Sequence, residues 1–307
     1  MTAAPLPALS EKEVDHFLEF GFVKLEDVLD RALAKRWVEA SWARIGYDPA
    51  DQSTWREARV HYPQTESLPL GEIAPRVEAA IAQLCGGAER IEGPLRWGNG
   101  FIANYGIGKD EPWAPPGPQL KGWHKDGESF LHFLDSAEQA LLTIALWDDV
   151  QHRGGPTYIA CDSVGEVVRW LAAHPEGANP APQHQPELGA WLPTSELMGR
   201  CSDFREATGR AGDVYLMHPF MMHTGSANHL GRARFITNYP VHFRKPMRFD
   251  RERPEDHSPV ERGVLRALGV ERFTFTPARE RVRIIPQRLI KERELLEAER
   301  MRAAARS

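Results

Sequence analysis

The hydrophobic positions of this chain change their spacing after about the first 90 residues. Before that point they recur every three or four residues, which predicts amphipathic helices over residues 10–20, 31–45 and 72–85. The first of these opens with a Ser-x-x-Glu capping box that begins at Ser10. The segment FVKLEDVL, between the first two helices, is typical of a strand. The first third of the chain is therefore predicted to be mostly helical.

Between about residues 95 and 243 the pattern changes to short runs rich in β-branched and aromatic residues, separated by glycine and proline turns. The runs are LRWGNGFIANY, LLTIALWDDV, PTYIA, GDVYLMH, MMHTGSA and RARFITNYPVHF. One helix interrupts them from Ser163, where Glu166 completes a second predicted capping box. Several short, closely spaced strands indicate a barrel or a jelly roll. No glycine-rich dinucleotide or P-loop motif is present, so neither nucleotide-binding fold is predicted.

We expect one catalytic domain over residues 1–307, with helices packed around a β core. It divides into a helical N-terminal part (about 1–90), the β core (about 91–245) and a C-terminal extension (246–307). The extension ends in a charged segment, 287–307, whose composition predicts a solvated helix.

Composition and charge argue against several classes of protein. The net charge of −5 and the pI near 6.2 give no electrostatic basis for binding nucleic acid or an anionic membrane. The longest mostly apolar run, 140–147, is far too short to cross a bilayer, and the N-terminus has no secretory signal pattern. Cys85, Cys161 and Cys201 form no CxxC pair and suit a reducing compartment. We therefore expect a cytoplasmic protein.

The stretch GWHKDGESF places His124 and Asp126 two residues apart. On a strand both side chains would point to the same side and could share one metal ion, while Lys125 would point away. Two histidines and one carboxylate form a facial triad that leaves three coordination positions open, as in non-haem Fe(II) oxygenases. Such a site needs a second histidine from a strand that is distant in sequence.

One downstream segment supplies the candidates for that second histidine. They are His218, His223 and His229. The segment has the pattern of a hairpin, in which a strand ending at His218 turns at residues 219–220 and returns at residues 221–223. His223 would then lie at the start of the return strand and is the preferred ligand, while His218, at the turn, is the alternative.

An open Fe(II) site is useful with a co-substrate that supplies electrons. A dicarboxylate such as 2-oxoglutarate needs a cation for its far carboxylate, and arginine binds carboxylates through two parallel hydrogen bonds. Arg232 and Arg234 lie nine and eleven residues after His223, and either could face inward.

These features together resemble the phytanoyl-CoA dioxygenase family of Fe(II)/2-oxoglutarate oxygenases. LSEKEVDHFLEFGFVKLEDVL is similar to the family's opening helix and strand, WHKDG to its H-x-D motif, and LLTIALWDDVQHRGGPTYIACDSV to a strand pair that ends in a glycine-rich turn. GDVYLMHPFMMHTGSANHLGRAR is similar to the segment with the distal histidine, including Asn228 five residues later. The family spacing selects His223 over His218 and Arg234 over Arg232.

The resemblance implies a double-stranded β-helix, a cupin-like jelly-roll core packed by N-terminal and C-terminal helices. It implies that His124, Asp126 and His223 hold Fe(II). It also implies that Arg234 pairs with the far carboxylate of 2-oxoglutarate, and that O2 is the other reactant. The expected reaction is hydroxylation of a small-molecule substrate with release of succinate and CO2, since the retained Asp126 favours hydroxylation over halogenation.

The secondary contacts of the co-substrate are less defined. The family often has serine two residues after the distal histidine, but that position is Gly225 here, and Ser226 beside it becomes the candidate contact. Thr143 and Trp147 share one face of a predicted strand and either line the pocket or belong to the core. Two other classes stay open: a non-catalytic jelly-roll binding protein, and a zinc-dependent hydrolase, which also uses histidine and carboxylate ligands.

Overall fold

A computed structural model of the chain describes residues 8–286, 296–297 and 301. Two antiparallel sheets face each other and form a double-stranded β-helix, with helices packed against its outer side. This mainly β architecture with flanking helices confirms the fold class predicted from the sequence. The predicted helix over 287–307 falls almost entirely outside the described residues.

The helices and strands of the described residues alternate along the chain. The helices are α1 (Glu11–Phe20), α2 (Arg31–Ile45), α3 (Leu70–Ile73), α4 (Pro75–Cys85), α5 (Ser163–Ala173), α6 (Thr194–Met198) and α7 (Pro259–Leu268). The strands are β1 (Phe22–Leu25), β2 (Arg59–His61), β3 (Ser67–Pro69), β4 (Arg96–Gly98), β5 (Ile102–Asn104), β6 (Leu141–Leu146), β7 (Thr157–Ala160), β8 (Phe204–Ala207), β9 (Val214–Met217), β10 (Met222–Gly225), β11 (Arg234–Thr237) and β12 (Pro240–Val241). Within the described part of the chain, no helix is long and apolar enough to span a membrane.

The larger sheet has the strand order β1-β9-β6-β11-β5-β2, and β12 also pairs with β6. The smaller sheet has the order β10-β7-β8, while β3 and β4 pair separately. Neighbouring strands in both main sheets run antiparallel. The strands of the predicted β core are therefore divided between two facing layers, as a jelly roll requires.

Alternation along β11 gives the larger sheet two different faces. Arg234 and Ile236 point to one face, and Phe235 and Thr237 point to the other. The Phe235 face packs against α2, where Trp42 lies 5.5 Å from the Phe235 ring between centroids. The Arg234 face is the inner one, directed toward the smaller sheet. It is on this inner face that the candidate site lies.

The helix predicted over 72–85 is in fact two helices, α3 and α4, which are separated at Ala74. Pro75 causes the break, because it has no backbone N–H and disfavours the helical conformation of the residue before it. Ala74 accordingly has φ −154° and ψ 65°. The two earlier predicted helices are confirmed as α1 and α2, and α1 has the predicted capping box.

The capping box predicted at the start of α5 is wrong. The Ser163 hydroxyl donates to the Ala160 carbonyl and accepts from the backbone N–H of Met222. Glu166 instead forms an ion pair with Arg169, one turn further along the helix. The serine therefore connects α5 to the first residue of β10, the strand that carries His223.

The hairpin predicted between β9 and β10 is also wrong, although its turn at residues 219–220 is present. Strand β9 pairs with β1 and β6 in the larger sheet, whereas β10 pairs with β7 in the smaller one. The short connection carries the chain from one layer of the jelly roll to the other. His223 thus faces the larger sheet across the interior, which a simple hairpin would not provide.

A buried carboxylate on α7 holds the C-terminal part of the described chain against the core. Glu261 is 0% exposed and accepts hydrogen bonds from the Arg90 guanidinium and from the backbone N–H groups of Arg248 and Ser258. Burial alone would raise the pKa of Glu261, but these donors lower it more, so it lies below the ordinary value of 4.5.

Glu261→Gln is expected to lower the free energy of unfolding by about 3 kcal/mol near neutral pH, because Arg90 loses its buried counter-charge. Since the folded-state pKa is lowered, this stabilisation is present above about pH 4.5 and is lost as the pH falls through the folded-state pKa. Urea unfolding near pH 7 and near pH 4 measures both effects. The difference in the free energy of unfolding between wild type and variant should be smaller at the lower pH. The exposed control, Glu255→Gln, should change stability by less than about 1 kcal/mol. A Glu261→Gln protein as stable as wild type would contradict the stabilising role assigned to the Glu261 carboxylate.

Candidate metal centre

The predicted triad comes together where the H-x-D segment crosses the end of β10. His124 is not on a regular strand, as the sequence suggested, but forms a single bridge with His223. The two residues exchange backbone N–H to carbonyl hydrogen bonds of 3.0 and 2.9 Å. This bridge places the two imidazole rings side by side, with 4.3 Å between their centroids. The local extended conformation therefore brings the His124 and Asp126 side chains to the same side, as the predicted strand was expected to do.

Asp126 completes the cluster. Its Oδ1 atom lies 3.5 Å from Nε2 of His124 and 3.5 Å from Nε2 of His223. One ligand atom from each of the three residues lies within 4.8 Å of the others. His124 is half exposed and His223 is buried, so the centre has one open side and one closed side.

Backbone carbonyls orient both imidazoles. Nδ1 of His124 lies 2.7 Å from the Gly122 carbonyl, and Nδ1 of His223 lies 3.2 Å from the Met221 carbonyl. Because a carbonyl only accepts, each Nδ1 carries the proton and each Nε2 is left with a free lone pair. Both lone pairs are therefore directed toward the Asp126 side of the cluster, which is the arrangement of metal-binding histidines.

The charges of the cluster support one another in the absence of metal. Burial alone would raise the pKa of Asp126, but the two neighbouring histidines hold it well below its usual range. Burial alone would lower the pKa of His124, but its hydrogen bond with Asp126 raises it overall. The ionised Asp126 carboxylate between two imidazoles gives the cluster the negative charge that a bound cation would neutralise.

Two polar side chains that the sequence did not single out hold Asp126 in place. Asn238 Nδ2 donates to Asp126 Oδ2 at 2.9 Å. Lys125 Nζ donates to the Asp126 carbonyl at 3.1 Å and to Gln139 Oε1 at 2.7 Å, and it also contacts His132 Nδ1. Lys125 does point away from the triad, as predicted, but its side chain is buried, and burial lowers its pKa to about 7.

Arg234 lies at the start of β11 on the same inner face of the larger sheet. It is 2% exposed, and its Nε and Nη1 atoms are buried with no hydrogen-bond partner among the described residues. Burial, and then the nearby charge of Arg59, lower the pKa of Arg234. A buried guanidinium without an anion is costly, so this position fits a protein that binds one.

Arg59 adds a second positive charge beside Arg234 and was not predicted. It faces the same side of the larger sheet, because Asn104 pairs with Arg59 on one side and with Arg234 on the other. Its guanidinium crosses toward the smaller sheet, where Nη2 lies 2.7 Å from the position that a Cβ on Gly225 would take. Arg59 is exposed, and its side chain has no hydrogen bond or ion pair with another residue in the described ranges. The glycine at 225, where the family often has serine, thus gives Arg59 its space.

The structure does not bring Thr143 and Trp147 to the triad. Their register on β6 places them on the outer face, opposite to Arg234. The Thr143 hydroxyl bonds to the backbone of Tyr239, and the Trp147 indole N–H donates to Thr237 Oγ1. Both side chains therefore belong to the packing of the larger sheet against its neighbours, which is the core alternative of the sequence interpretation.

Ser226 and Asn228 organise the loop between β10 and β11. The Ser226 hydroxyl donates to the Pro156 carbonyl at 2.6 Å, and the Asn228 amide donates to the carbonyls of Asn104 and Arg232. These bonds hold the loop against β5 and so fix the position of Arg234, which follows it. Their polar groups are engaged with the backbone, and a direct contact of Ser226 with a co-substrate stays a prediction.

The other two downstream histidines lie outside the triad. His218 is buried beneath α7 with Nε2 at 3.2 Å from the Val260 carbonyl, and burial lowers its pKa to about 3. His229 Nε2 lies 2.9 Å from the Glu111 carbonyl. Of the two candidate arginines, Arg232 is exposed and Arg234 is buried on the inner face.

The donor set fits a divalent metal ion. Adjacent ligands at bond lengths of about 2.0–2.2 Å lie roughly 3 Å apart, so the separations of 3.5 Å need only a small inward movement. Two imidazole nitrogens and one carboxylate oxygen on one side of a cation are the set that first-row metals such as iron and zinc accept.

Comparisons with known proteins find only distant structural similarities. Neither a protein-family model nor a curated protein matches the sequence. Among solved structures, the non-heme alpha ketoglutarate-dependent carbocyclase SnoK from nogalamycin biosynthesis is 15% identical, with 78% of this chain and 87% of that chain covered and a TM-score of 0.45. EctD from S. alaskensis with bound Fe is 18% identical, with 90% of each chain covered and a TM-score of 0.44. HygX from Streptomyces hygroscopicus with nickel and 2-oxoglutarate bound is 15% identical, with 77% and 88% covered and a TM-score of 0.40. All three similarities are low, so the chemistry of this chain has to follow from its own residues.

Proposed function

We propose that this protein is an Fe(II)- and 2-oxoglutarate-dependent oxygenase that hydroxylates a small-molecule substrate. The observation that carries the proposal is the combination of the His124, Asp126 and His223 cluster with Arg234 on the facing sheet, which is buried and has no partner at Nε or Nη1 among the described residues. A metal triad alone is compatible with several activities. A triad that shares an interior with an unpaired buried cation has a specific use for a co-substrate that chelates the metal at one end and carries an anion at the other.

The residues of the site have separate roles. His124, Asp126 and His223 would hold the metal through Nε2, Oδ1 and Nε2, with their second polar atoms fixed by the protein. Ferrous iron held by these three residues would supply the activation of O2 that the oxidative decarboxylation of 2-oxoglutarate to succinate requires. The chain itself positions the reactants and keeps water from the closed side of the centre.

Arg234 and Arg59 are the groups that would bind the far carboxylate of 2-oxoglutarate. Arg234 offers two buried donor atoms, Nε and Nη1, which have no partner among the described residues. Each belongs to one edge of the guanidinium, Nε–Nη2 or Nη1–Nη2, and either edge can bind a carboxylate through two parallel hydrogen bonds. Arg59 adds positive charge at the exposed edge, beside Gly225. A carboxylate between them would offset both causes that lower the pKa of Arg234, its burial first and then the nearby charge of Arg59.

The two competing classes differ from an oxygenase in different ways. A zinc-dependent hydrolase would use the triad but has no need for a buried guanidinium on the facing sheet. A non-catalytic binding protein could retain both, and catalytic turnover of the co-substrate separates it from an oxygenase.

Several finer assignments belong to the same proposal. We place the chain in the phytanoyl-CoA dioxygenase family, on the motif spacing from His124 to Arg234. We propose one domain over residues 1–307, a small-molecule substrate, and neither nucleic acid nor membrane as partner. The three cysteines are buried and unpaired, which supports a cytoplasmic location.

Turnover of 2-oxoglutarate without substrate tests the function. With Fe(II), O2 and ascorbate, we expect 2-oxoglutarate to give succinate, CO2 and water, with ascorbate supplying the two electrons that a substrate would otherwise provide. His124→Ala should abolish succinate formation, and the exposed-histidine control, His184→Ala, should not change it. Wild-type protein that binds Fe(II) and 2-oxoglutarate without forming succinate would favour the non-catalytic alternative.

A further inference from the structure

The two oxygens of the Asp126 carboxylate have different surroundings. Oδ1 faces the Nε2 atoms of His124 and His223, at 3.5 Å from each. Oδ2 faces the other way and accepts the hydrogen bond from Asn238 Nδ2 at 2.9 Å. No other side chain in the described ranges donates to Oδ2. The amide nitrogen must be the atom that faces Asp126, because an ionised carboxylate only accepts hydrogen bonds.

The position of Asn238 is determined by β11. It follows the strand directly and continues the alternation of Arg234 and Ile236, so its side chain points to the inner face of the larger sheet. One face of this single segment therefore carries the unpartnered cation near one end and the contact to Asp126 at the other. Asn238 is partly buried, and within the described residues its one side-chain hydrogen bond is the one to Asp126.

A carboxylate can bind a metal through one oxygen or through both. If both oxygens bound, Asp126 would occupy two coordination positions, and the centre would have two open positions instead of three. Chelation by a 2-oxo acid takes two positions and O2 needs one. The number of oxygens that Asp126 contributes thus decides whether both reactants fit.

We propose that Asn238 is a positioning residue that keeps Asp126 a one-oxygen ligand by holding Oδ2 away from the metal. This inference rests on the proposed function, since it concerns the same metal. Lys125 complements it by holding the Asp126 carbonyl, which fixes the main chain while Asn238 fixes the rotation of the carboxylate. Without the amide, Oδ2 is free to turn toward the cation.

Mn(II) is a suitable probe, because it favours octahedral coordination and its effect on water-proton relaxation reports how many bound waters exchange. In the Mn(II)-loaded Asn238→Leu protein, the relaxation enhancement per bound ion is expected to fall by about one third relative to wild type, from three exchangeable positions to two. Calorimetry should show Mn(II) affinity equal to or higher than that of wild type, because the second carboxylate oxygen that the metal gains offsets the loss of an outer hydrogen bond, which otherwise weakens metal binding. The affinity of the Mn(II)-loaded protein for 2-oxoglutarate should fall by about tenfold or more.

Two further variants separate positioning from general damage. Asn238→Gln retains a donor amide and should restore the relaxation enhancement toward wild type. Asn179→Leu removes a buried amide that ties a distant loop through the carbonyls of Gln185 and Gly189, and it should leave both Mn(II) properties unchanged.

The outcomes distinguish this inference from the function on which it rests. A parallel loss of Mn(II) and 2-oxoglutarate affinity in Asn238→Leu would show a merely structural role, and an unchanged relaxation enhancement would overturn the proposal. If wild-type protein binds Mn(II) but never 2-oxoglutarate, the proposed function fails. The relaxation measurement still decides the role of Asn238 in that case, because it needs no co-substrate.

Discussion

His223→Ala is expected to abolish succinate formation and to weaken Fe(II) binding by more than about 100-fold. His223 supplies the ligand that comes from the smaller sheet, and its Nε2 lies 3.5 Å from Asp126 Oδ1. Loss of an outer hydrogen-bond partner typically costs roughly 10- to 100-fold in metal affinity, so loss of a ligand should cost more. Anaerobic calorimetry with Fe(II) measures the binding, and succinate formation measures the activity.

Folding has to be controlled in this experiment, because His223 is 6% exposed. The variant should keep the circular dichroism spectrum of wild type, and the exposed-histidine control, His184→Ala, should bind Fe(II) normally. If His223→Ala bound Fe(II) as tightly as wild type, the cluster would not be the metal site. His218 is the histidine to test in that case, although its ring is buried beneath α7.

Arg234→Met is expected to weaken 2-oxoglutarate binding while leaving Fe(II) binding unchanged. Truncation of one partner of a buried charge pair costs about 2–5 kcal/mol, which corresponds to a loss of affinity of roughly 30- to 5,000-fold. The free protein should become more stable rather than less, because the substitution removes a buried guanidinium whose Nε and Nη1 have no partner within the described residues. Calorimetry of the Fe(II)-loaded protein and urea unfolding of the metal-free protein measure the two effects.

Arg232→Met is the matched control, since Arg232 is two residues earlier and exposed. It should bind 2-oxoglutarate with the affinity of wild type. Equal loss in both variants would indicate a general electrostatic effect, and no loss in Arg234→Met would show that the far carboxylate binds elsewhere. Arg59 is then the nearest remaining cation on the same face.

The sequence predicts the architecture well because its periodicities are local. Helical spacing before about residue 90 and short β runs after it correspond to α1, α2 and the two sheets. The errors arise where a single residue or a long-range contact determines the local structure. Pro75 breaks the predicted third helix, and Ser163 bonds to β10 instead of capping its own helix. The segment from β9 to β10 resembles a hairpin in sequence, because no local pattern indicates that β9 pairs with one sheet and β10 with the other.

In the candidate site, too, the local patterns could be read from the sequence and the long-range contacts could not. His124 and Asp126 could be paired from their spacing, and the resemblance chose His223 and Arg234, which the structure places on facing layers. Asn238 could have been found from alternation, because it lies four residues after Arg234 on the same side of β11.

No pattern in the sequence indicates that Arg59 belongs to the site. It lies on a three-residue strand that is distant in sequence from every other member of the site, and its approach to Gly225 depends on how the two sheets close.

Anaerobic calorimetric titration of 2-oxoglutarate, with and without Fe(II), tests the central claim most directly. If one interior joins the His124, Asp126 and His223 centre to Arg234, 2-oxoglutarate should bind tightly to the Fe(II)-loaded protein and only weakly to the metal-free protein. The same affinity in both states, or no binding in either, would contradict the claim that this protein is a 2-oxoglutarate-dependent oxygenase.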